Sequence, residues 1–517
     1  MMRTTRRQFL GFGLKASAGL GLLTTAPGIV LAENRRPMIT SGVMSGDLWT
    51  NRAMIWSRAD RPSQMLLEVA DNAEFHNARQ LTGPDALPST GMTSKIDVTG
   101  LASDTDLHYR VRFAALGDHR AISEPVVGKL RLPSDTPRNV RFVWSGDTVG
   151  QGWGIDTSRG GMRIYETMRQ QSPDFFLHSG DTIYADGPLE ETVTMDNGET
   201  WRNLMTAEKS KVAETLDEYR GQYAYNMLDE NLKRFNAEVP MFAQWDDHET
   251  TNNWYPGEIL EDPRYTEKNV SLLAARARKA FLEYMPIRQW PEAPDRIRRR
   301  FDYGPDLEVF MLDMRTHRGA NSANMQSADD PAAALLGATQ VDELIAALSA
   351  SRATWKVIAS DMPVGLVVAD GDNFEAVANG DNGAPAGREH EIARLLKAIH
   401  EGSIANVVWL TADVHYTAAH HYAPDRASFK DFTPFWEFVS GPLHAGTFGP
   451  NALDATFGPQ VVFQKAPEDG RANLAPSEGY QFFGQVDLDA ETKELTVTLK
   501  DVEGSTLHTE VLKPQMA

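Results

Sequence analysis

The sequence predicts an α/β catalytic body preceded by a small β-sandwich, on three observations. Short strand-like runs follow one another without helical periodicity from about residue 39 to residue 132. From residue 140 onward, strand patterns alternate with helical ones. The acidic clusters of that second region all fall where an apolar run ends, at the C-terminal ends of strands, which is where open α/β sheets place their ligands. A chain of 517 residues exceeds one ordinary hydrophobic core, so two domains are expected.

Residues 1–32 read as a targeting segment rather than as part of the fold. Thr5-Arg6-Arg7-Gln8-Phe9-Leu10 pairs two arginines with a hydrophobic couple, a Gly/Ala-rich apolar stretch follows, and Val30-Leu31-Ala32 offers a small-residue cleavage site. The segment is similar to a bacterial twin-arginine export signal, which implies the twin-arginine translocation machinery as a partner and a periplasmic or secreted destination. The plainer alternative is an N-terminal amphipathic helix that is retained. The β-sandwich is expected over 38–133: Arg52-Ala53-Met54-Ile55-Trp56-Ser57 and Met65-Leu66-Leu67-Glu68-Val69-Ala70 are strand-like, and His108-Tyr109-Arg110-Val111-Arg112-Phe113 alternates with period two. Leu132-Pro133-Ser134-Asp135-Thr136-Pro137 reads as a linker, and the catalytic domain as 138–517.

In that domain strands are expected at Val140-Arg141-Phe142-Val143-Trp144, Phe175-Phe176-Leu177-His178, Met241-Phe242-Ala243-Gln244-Trp245, Leu307-Glu308-Val309-Phe310-Met311, Trp355-Lys356-Val357-Ile358-Ala359 and Asn406-Val407-Val408-Trp409-Leu410. Helices are expected over 162–171, 208–235, 269–284, 341–348 and 389–400. Residues 480–512 return to β hairpins, with Leu495-Thr496-Val497-Thr498-Leu499 strictly alternating.

Composition excludes several chemistries. There is no cysteine, which removes disulfides, thiolate catalysis and Cys-ligated metal sites together. A formal charge of −20 disfavours nucleic acid and anionic membrane as partners, and loss of the targeting segment, which carries four cations and no acid, makes the chain more acidic still. Such acidity suits a binder of divalent cations, and equally well serves solubility alone. Beyond the N-terminal segment no stretch is long and apolar enough to span a membrane.

Four strand ends carry the chemistry: Asp147; Gly180-Asp181 with Tyr184; Asp246-Asp247-His248-Glu249; and Asp413-Val414-His415. Singly, an aspartate after a strand is a turn or helix-cap residue. Together they place at least five carboxylates on one rim, where neighbours about 4 Å apart repel by ~4 kcal/mol at an effective dielectric near 20. Cations relieve that repulsion. Two metals about 3.5–4 Å apart sharing a carboxylate are the usual arrangement, and they suit in-line phosphoryl displacement.

The order strand–Asp, strand–Gly-Asp, strand–Asp-His-Glu, strand–x-x-His resembles the calcineurin-like metallophosphoesterases. More closely, Gly180-Asp181-Thr182-Ile183-Tyr184, Trp245-Asp246-Asp247-His248-Glu249-Thr250-Thr251-Asn252-Asn253-Trp254 and Asp413-Val414-His415-Tyr416 resemble the PhoD-like phosphodiesterase/alkaline phosphatase D family. Ser41-Gly42-Val43-Met44-Ser45-Gly46-Asp47 and Ala53-Met54-Ile55-Trp56-Ser57-Arg58 do likewise. The resemblance spans nearly the whole chain. It implies a four-layer sandwich, two mixed sheets flanked by helices, with an Fn3-like N-terminal domain.

Carried over by residue, the resemblance implies that Asp181 bridges two metals and that Tyr184 ligates one of them. Asp247 serves the other with Asn252 or Asn253, Asp413 and His415 complete the shell, and His248 faces the phosphate as general acid or electrostatic stabiliser. Arg315, in Leu312-Asp313-Met314-Arg315, is the candidate fork for phosphate oxygens. Asp361 stands where related enzymes place a ligand histidine before a proline. The chain departs from the family at Ser145-Gly146-Asp147, where members with an iron–calcium site carry a cysteine. Asp147 then becomes a candidate ligand, and the metals (calcium, iron, manganese or zinc) are left open, with hard oxygen donors favouring hard ions.

The expected activity is hydrolysis of phosphate mono- or diesters by a metal-activated hydroxide. A phospholipase-D-like diesterase is the alternative, with Trp201, Trp254 and Tyr255 as candidate walls of a lipid or nucleoside pocket or, more plainly, core residues. A non-catalytic binding protein is a more distant one. His420-His421 and the loop 370–387 are candidate rim elements.

Overall fold

The computed structural model describes residues 36–468 and 470–515; the export segment expected over residues 1–32 lies outside them. Eight strands come first: β1 Ile39–Trp49, β2 Arg52–Ala59, β3 Ser63–Ala70, β4 Arg79–Ala86, β5 Thr93–Thr99, β6 Asp106–Ala115, β7 Asp118–Ile122 and β8 Val126–Arg131. In β6 buried residues alternate with less buried ones, as period-two patterning requires. Strands β4-β3-β6-β7, with β8 on β6, form one sheet.

The rest of the chain alternates as expected. In order come β9 Val140–Ser145, α1 Arg163–Gln170, β10 Phe175–Ser179, α2 Leu216–Asn226, α3 Glu230–Glu238, β11 Met241–Gln244, α4 Val270–Tyr284, β12 Arg299–Asp302 and β13 Leu307–Met311. Then follow α5 Ala338–Ala350, β14 Trp355–Ala359, α6 Glu389–Glu401, β15 Val407–Thr411, β16 Thr417–Tyr422, β17 Phe435–Val439 and β18 Pro459–Lys465. The chain closes with β19 Phe482–Leu488, β20 Leu495–Asp501 and β21 Thr506–Leu512.

Two large sheets result. One has nine strands in the order β21-β20-β19-β9-β10-β11-β1-β2-β5, the other seven in the order β12-β13-β14-β15-β17-β16-β18. The N-terminal strands therefore divide: β1, β2 and β5 extend the nine-stranded sheet, and Val43 and Ile55 from that extension pack on Leu67 and Val111 of the smaller sheet. One leaf of the N-terminal sandwich is thus continuous with the main sheet.

The two large sheets face each other through Phe142, Phe175, Leu177 and Phe242 on one side and Val309, Val357, Val408 and Leu410 on the other. Each such side chain contributes about 1.5–3 kcal/mol when fully buried. On the outer face of the nine-stranded sheet, Tyr165, Phe235 and Phe281 from α1, α3 and α4 cover Val143, Phe176 and Ala243. On the outer face of the seven-stranded sheet, Leu344, Leu348, Leu395 and Leu396 from α5 and α6 cover Phe310, Ile358 and Trp409. Helices, sheet, sheet and helices make the four layers that the family resemblance implies.

One helix is not continuous. The helix expected over 208–235 is a short 3-10 turn at Glu208–Ser210, then α2, then α3. Thr215 caps α2 in a reciprocal capping box with Glu218. The Asp229 carboxylate accepts from the Asn231 and Leu232 N–H groups and starts α3 afresh. An apolar count passes smoothly over that break, because Leu232 and Phe235 keep the spacing.

Candidate active site

Strands β9, β10 and β11 lie side by side and parallel in one sheet, and β13, β14 and β15 do so in the other. Their C-terminal ends point the same way and bring six segments to one place. The nine-stranded sheet supplies Asp147, Asp181 and the run Asp246-Asp247-His248-Glu249. The seven-stranded sheet supplies Arg315, Asp361 and Asp413-Val414-His415.

The backbone turns sharply as it leaves these strands. Asp147, Asp181, Asp413 and His415 all have left-handed backbone, with φ of 68°, 52°, 66° and 59°. That region is disfavoured for residues with a Cβ, by about 1–3 kcal/mol each where it is enforced, and it concentrates at functional sites. Gly180, with φ of 99°, gives Asp181 its turn, and a Cβ at Gly180 would lie 2.5 Å from the Asp246 Cβ.

Three overlapping groups of side chains here can hold a metal ion: Asp147, Asp181 and His415; Asp181, Asp247 and His248; and Asp246, Asp247 and Asp413, each with ligand atoms within 4.8 Å of one another. Asp181 and Asp247 are each shared between two groups. A carboxylate shared in this way is what a bridging ligand requires. The donors are oxygen and imidazole nitrogen, and Oδ2 of Asp147, Asp246 and Asp361 are buried without a hydrogen-bond partner. Buried unpaired anionic oxygens are costly unless a cation satisfies them, so the residues fit the metal role.

His415 has the neutral form that a metal ligand would need. Its Nδ1 hydrogen-bonds the Gly446 carbonyl, which leaves Nε2 turned towards Asp147 Oδ1 at 3.7 Å and the Tyr184 hydroxyl at 2.7 Å. Burial pushes its pKa down to about 4, so the ring carries no charge at neutral pH. For Tyr184, burial and then the nearby Asp181 and Asp147 hold the phenol pKa well above its ordinary value. A phenolate there needs a cation beside it.

His248 is the opposite case. Burial opposes its charged form, but Asp186, Asp247 and Asp181 outweigh burial and raise its pKa well above the usual imidazole value. Nδ1 lies 2.7 Å from Asp186 Oδ1, and Nε2 faces Asp247 Oδ2 at 4.0 Å. The Tyr184 ring lies against the imidazole, with centroids 4.2 Å apart. For Asp247, burial is overcome by His248 and Arg315 and by N–H groups from Asn253 and His248, which hold its pKa down to about 2.

Some sequence expectations fall differently in space. Asn252 is exposed and reaches the cluster through its backbone N–H, donated to Asp186 Oδ2 at 2.9 Å. The Asn253 N–H goes to Asp247 Oδ2 at 2.6 Å, and its side chain to Asp370 of the rim loop at 3.1 Å. Arg315, expected to fork a phosphate, is fully buried beneath the carboxylates, with its Nε 2.6 Å from Asp246 Oδ1. Asp361 is buried 3.6 Å from Arg315 Nε and belongs to none of the three groups. Trp201 and Trp254 are buried in the core and so are not presented to a ligand; Tyr255 is half-buried. His420 is also buried, 3.2 Å from Glu437, and is no part of a rim.

Two residues at the site had no assigned role in the sequence reading. Asp186 orients His248, and Glu249 ties two strand ends together. Buried Glu249 accepts from the N–H groups of Asp181 (3.2 Å), Thr182 (2.6 Å) and Asp246 (2.8 Å), and from the Thr182 hydroxyl (2.5 Å). Apart from Asp246, their partners lie more than 60 residues away in the chain. Grooves exist elsewhere, such as one of about 480 Å³ lined by Arg298, Leu312 and Leu344. That groove gathers no ligand or nucleophile set, so the chemistry is placed at the strand ends.

The family model for PhoD-like phosphatase matches residues 142–499, and the model for the N-terminal domain of PhoD-like phosphatase matches residues 24–134. The chain belongs to the PhoD-like phosphatase family. It is accordingly a phosphoester hydrolase. The chain is 29% identical over 477 residues to alkaline phosphatase D of Bacillus subtilis (strain 168), covering 86% of this chain and 77% of that one. Among solved structures it is similar to PhoD, with a TM-score of 0.69, 22% identity and coverage of 92% of this chain and 90% of that chain. It is also similar to the purple acid phosphatase PPD1 of yellow lupin (Lupinus luteus), with a TM-score of 0.55, 10% identity and coverage of 93% and 74%. Both likenesses bear out the metallophosphoesterase-type layering of this PhoD-like phosphatase. Among its described residues, no helix is long and apolar enough to cross a membrane.

Proposed function

We propose that this PhoD-like phosphatase is an exported enzyme that hydrolyses phosphate mono- and diesters with the help of bound metal ions. The observation that carries the reading is the sharing of Asp181 and Asp247 between adjacent ligand groups. Asp147, Asp181 and His415, with Tyr184 beside them, would hold one ion, and Asp247 with Asp413 would serve the next. The donor set of oxygens and an imidazole, with no thiolate in the chain, suits calcium, manganese or iron. Bound there, the ions supply Lewis acidity towards a phosphoryl oxygen and bring the pKa of a water near neutrality, which provides the nucleophile.

The chain's own residues do the rest. The left-handed turns at Asp147, Asp181, Asp413 and His415 aim the ligands at a common point. With Nδ1 held by Asp186, His248 keeps its second nitrogen at the site and has its charged form favoured by that carboxylate, which suits a proton donor to the departing alkoxide. No serine or threonine nucleophile is needed. The twin arginines at Arg6 and Arg7 support export, and the phosphate ester as substrate follows from the family.

The test is removal of the metal. After dialysis against a strong chelator until elemental analysis reads empty, turnover of bis-p-nitrophenyl phosphate, p-nitrophenyl phosphate and phosphatidylcholine should vanish. Calcium or manganese should restore it, and the ratio of the three rates then separates monoesterase, diesterase and phospholipase activity. Full activity in demonstrably metal-free protein would refute the reading. Asp186→Asn tests the proton donor separately. It should lower kcat by on the order of 10²-fold, the lower end of a placed acid's contribution. Metal content should stay unchanged, because Asp186 belongs to none of the ligand groups. An unchanged kcat would remove His248 from that role.

A further inference from the structure

The rim of the site carries a carboxylate that neither the ligand groups nor the proton donor uses. Residues Ala369–Asp370 and Asn373–Phe374 pair as a short antiparallel hairpin in the rim loop. Asp370 stands on it half-buried, and its carboxylate accepts from the side-chain amides of Asn253 at 3.1 Å and Asn321 at 2.9 Å. The Asn253 N–H goes to Asp247 Oδ2 at 2.6 Å, so a single residue separates Asp370 from a carboxylate shared between two ligand groups. The hairpin is fixed from behind. Buried Arg388 donates to the Phe374 carbonyl at 3.1 Å and to Asn321 Oδ1 at 2.8 Å, and the Phe374 N–H goes to the Ser322 carbonyl at 2.8 Å. Both donors to Asp370 are neutral, and Arg388 reaches it only through Asn321. Glu258 is a second acid at this place, half-buried; burial and then the charge of Asp370 raise its pKa above the ordinary value.

We propose that Asp370 is a specificity-determining residue: its carboxylate at the rim penalises an ester that brings two negative charges, and so favours phosphodiesters over phosphomonoesters. The proposal rests on the reading of the strand ends as the place where the ester is hydrolysed. A phosphomonoester has a second pKa near 6 and approaches a charge of −2 above neutral pH, whereas a diester carries one charge. Cations bound at the strand ends attract both, the dianion more strongly. A fixed carboxylate beside them subtracts from that advantage in proportion to the charge of the substrate. Pinned between two amides on an anchored hairpin, Asp370 is held at the rim, and a repulsive group placed against the wrong substrate is a recognised route to specificity.

The experiment is a charge series read with two esters that share a leaving group. At about pH 8 and low salt, kcat/KM is measured for p-nitrophenyl phosphate and bis-p-nitrophenyl phosphate. The metal-loaded protein is compared with Asp370→Glu, Asp370→Asn and Asp370→Lys, and the metal content of each is determined. The monoester-to-diester ratio should rise on the order of 5-fold in Asp370→Asn, chiefly through the monoester KM, and further in Asp370→Lys. Asp370→Glu should keep the ratio of the unaltered protein. Salt at about 1 M should shrink the rise, because its Debye length is only ~3 Å. A ratio that stays within about 2-fold in both Asp370→Asn and Asp370→Lys would overturn the proposal. So would a rise undiminished by salt, which marks a steric effect, or a loss of metal in Asp370→Asn, which makes Asp370 a support for Asp247 instead. If the unaltered, metal-loaded protein hydrolyses neither ester, the reading of the site itself fails, and that outcome is distinct.

Discussion

Asp181→Asn should lower kcat by on the order of 10³-fold or more while the protein keeps its fold. Asp181 belongs to two of the three ligand groups, and its Oδ1 also accepts the His248 N–H at 3.1 Å. The amide is nearly isosteric but neutral, so it loses the charge that lets one residue serve two cations. Losing several kcal/mol of charge stabilisation at a metal-assisted transition state corresponds to about three decades in rate. Stability moves the other way. Burial and the surrounding acids raise the Asp181 pKa well above its ordinary value, so its charge is unwelcome in metal-free protein. Asparagine also tolerates the left-handed backbone at this position better than most residues do. The prediction is checked by p-nitrophenyl phosphate kinetics, elemental analysis and thermal melting of the chelator-treated protein. Near-normal turnover with full metal content would show that Asp181 is not the shared ligand.

Glu249→Ala should cost about 3–5 kcal/mol of stability, the largest loss expected from a single change at the site. Glu249 is fully buried, and its carboxylate satisfies three backbone N–H groups and the Thr182 hydroxyl. Each buried donor left without a partner costs about 1–3 kcal/mol. The bonds hold the turn after β10 against the turn after β11, so their loss also loosens Asp181 and Asp247. Glu249→Gln, which keeps acceptor oxygen, should lose markedly less. Denaturant midpoints compared at equal m-values decide it; a loss below about 1 kcal/mol for the alanine variant would mean that the turns stand without this carboxylate.

Much of this was legible in the chain itself, and the reason is local. An apolar run that stops at Gly180-Asp181 or Trp245-Asp246 announces a buried strand and the carboxylate at its end. Four such ends converge as the topology of a layered α/β sandwich requires. The roles of Arg315, Asp186 and Glu249 were not legible, because each depends on partners set by the packing of distant segments. Glu375 lies 60 residues beyond Arg315, and only the meeting of the two sheets places it against the guanidinium. Trp201 and Trp254 are candidate pocket walls in the sequence, with core packing as the plainer reading, and the structure buries both, Trp254 edge-on against Trp245. The N-terminal strands were legible as strands. Their pairing was not, since β1 joins β11 across nearly two hundred residues of intervening chain.

The residues that could ligate metal come from both large sheets, Asp147, Asp181 and Asp247 from one and Asp413 and His415 from the other, and this has a consequence for assembly. Neither half of the chain carries a complete ligand set. The first set is finished only after residue 415 has been made and its sheet has closed on the other. Contacts so distant in sequence form late in folding. A folding intermediate with only one sheet in place would offer scattered carboxylates of low affinity, and a cation bound at the finished site would fasten the sheets to each other. Metal uptake would therefore report that the whole body has closed, and metal loss would loosen the seam between its halves before either half unfolds.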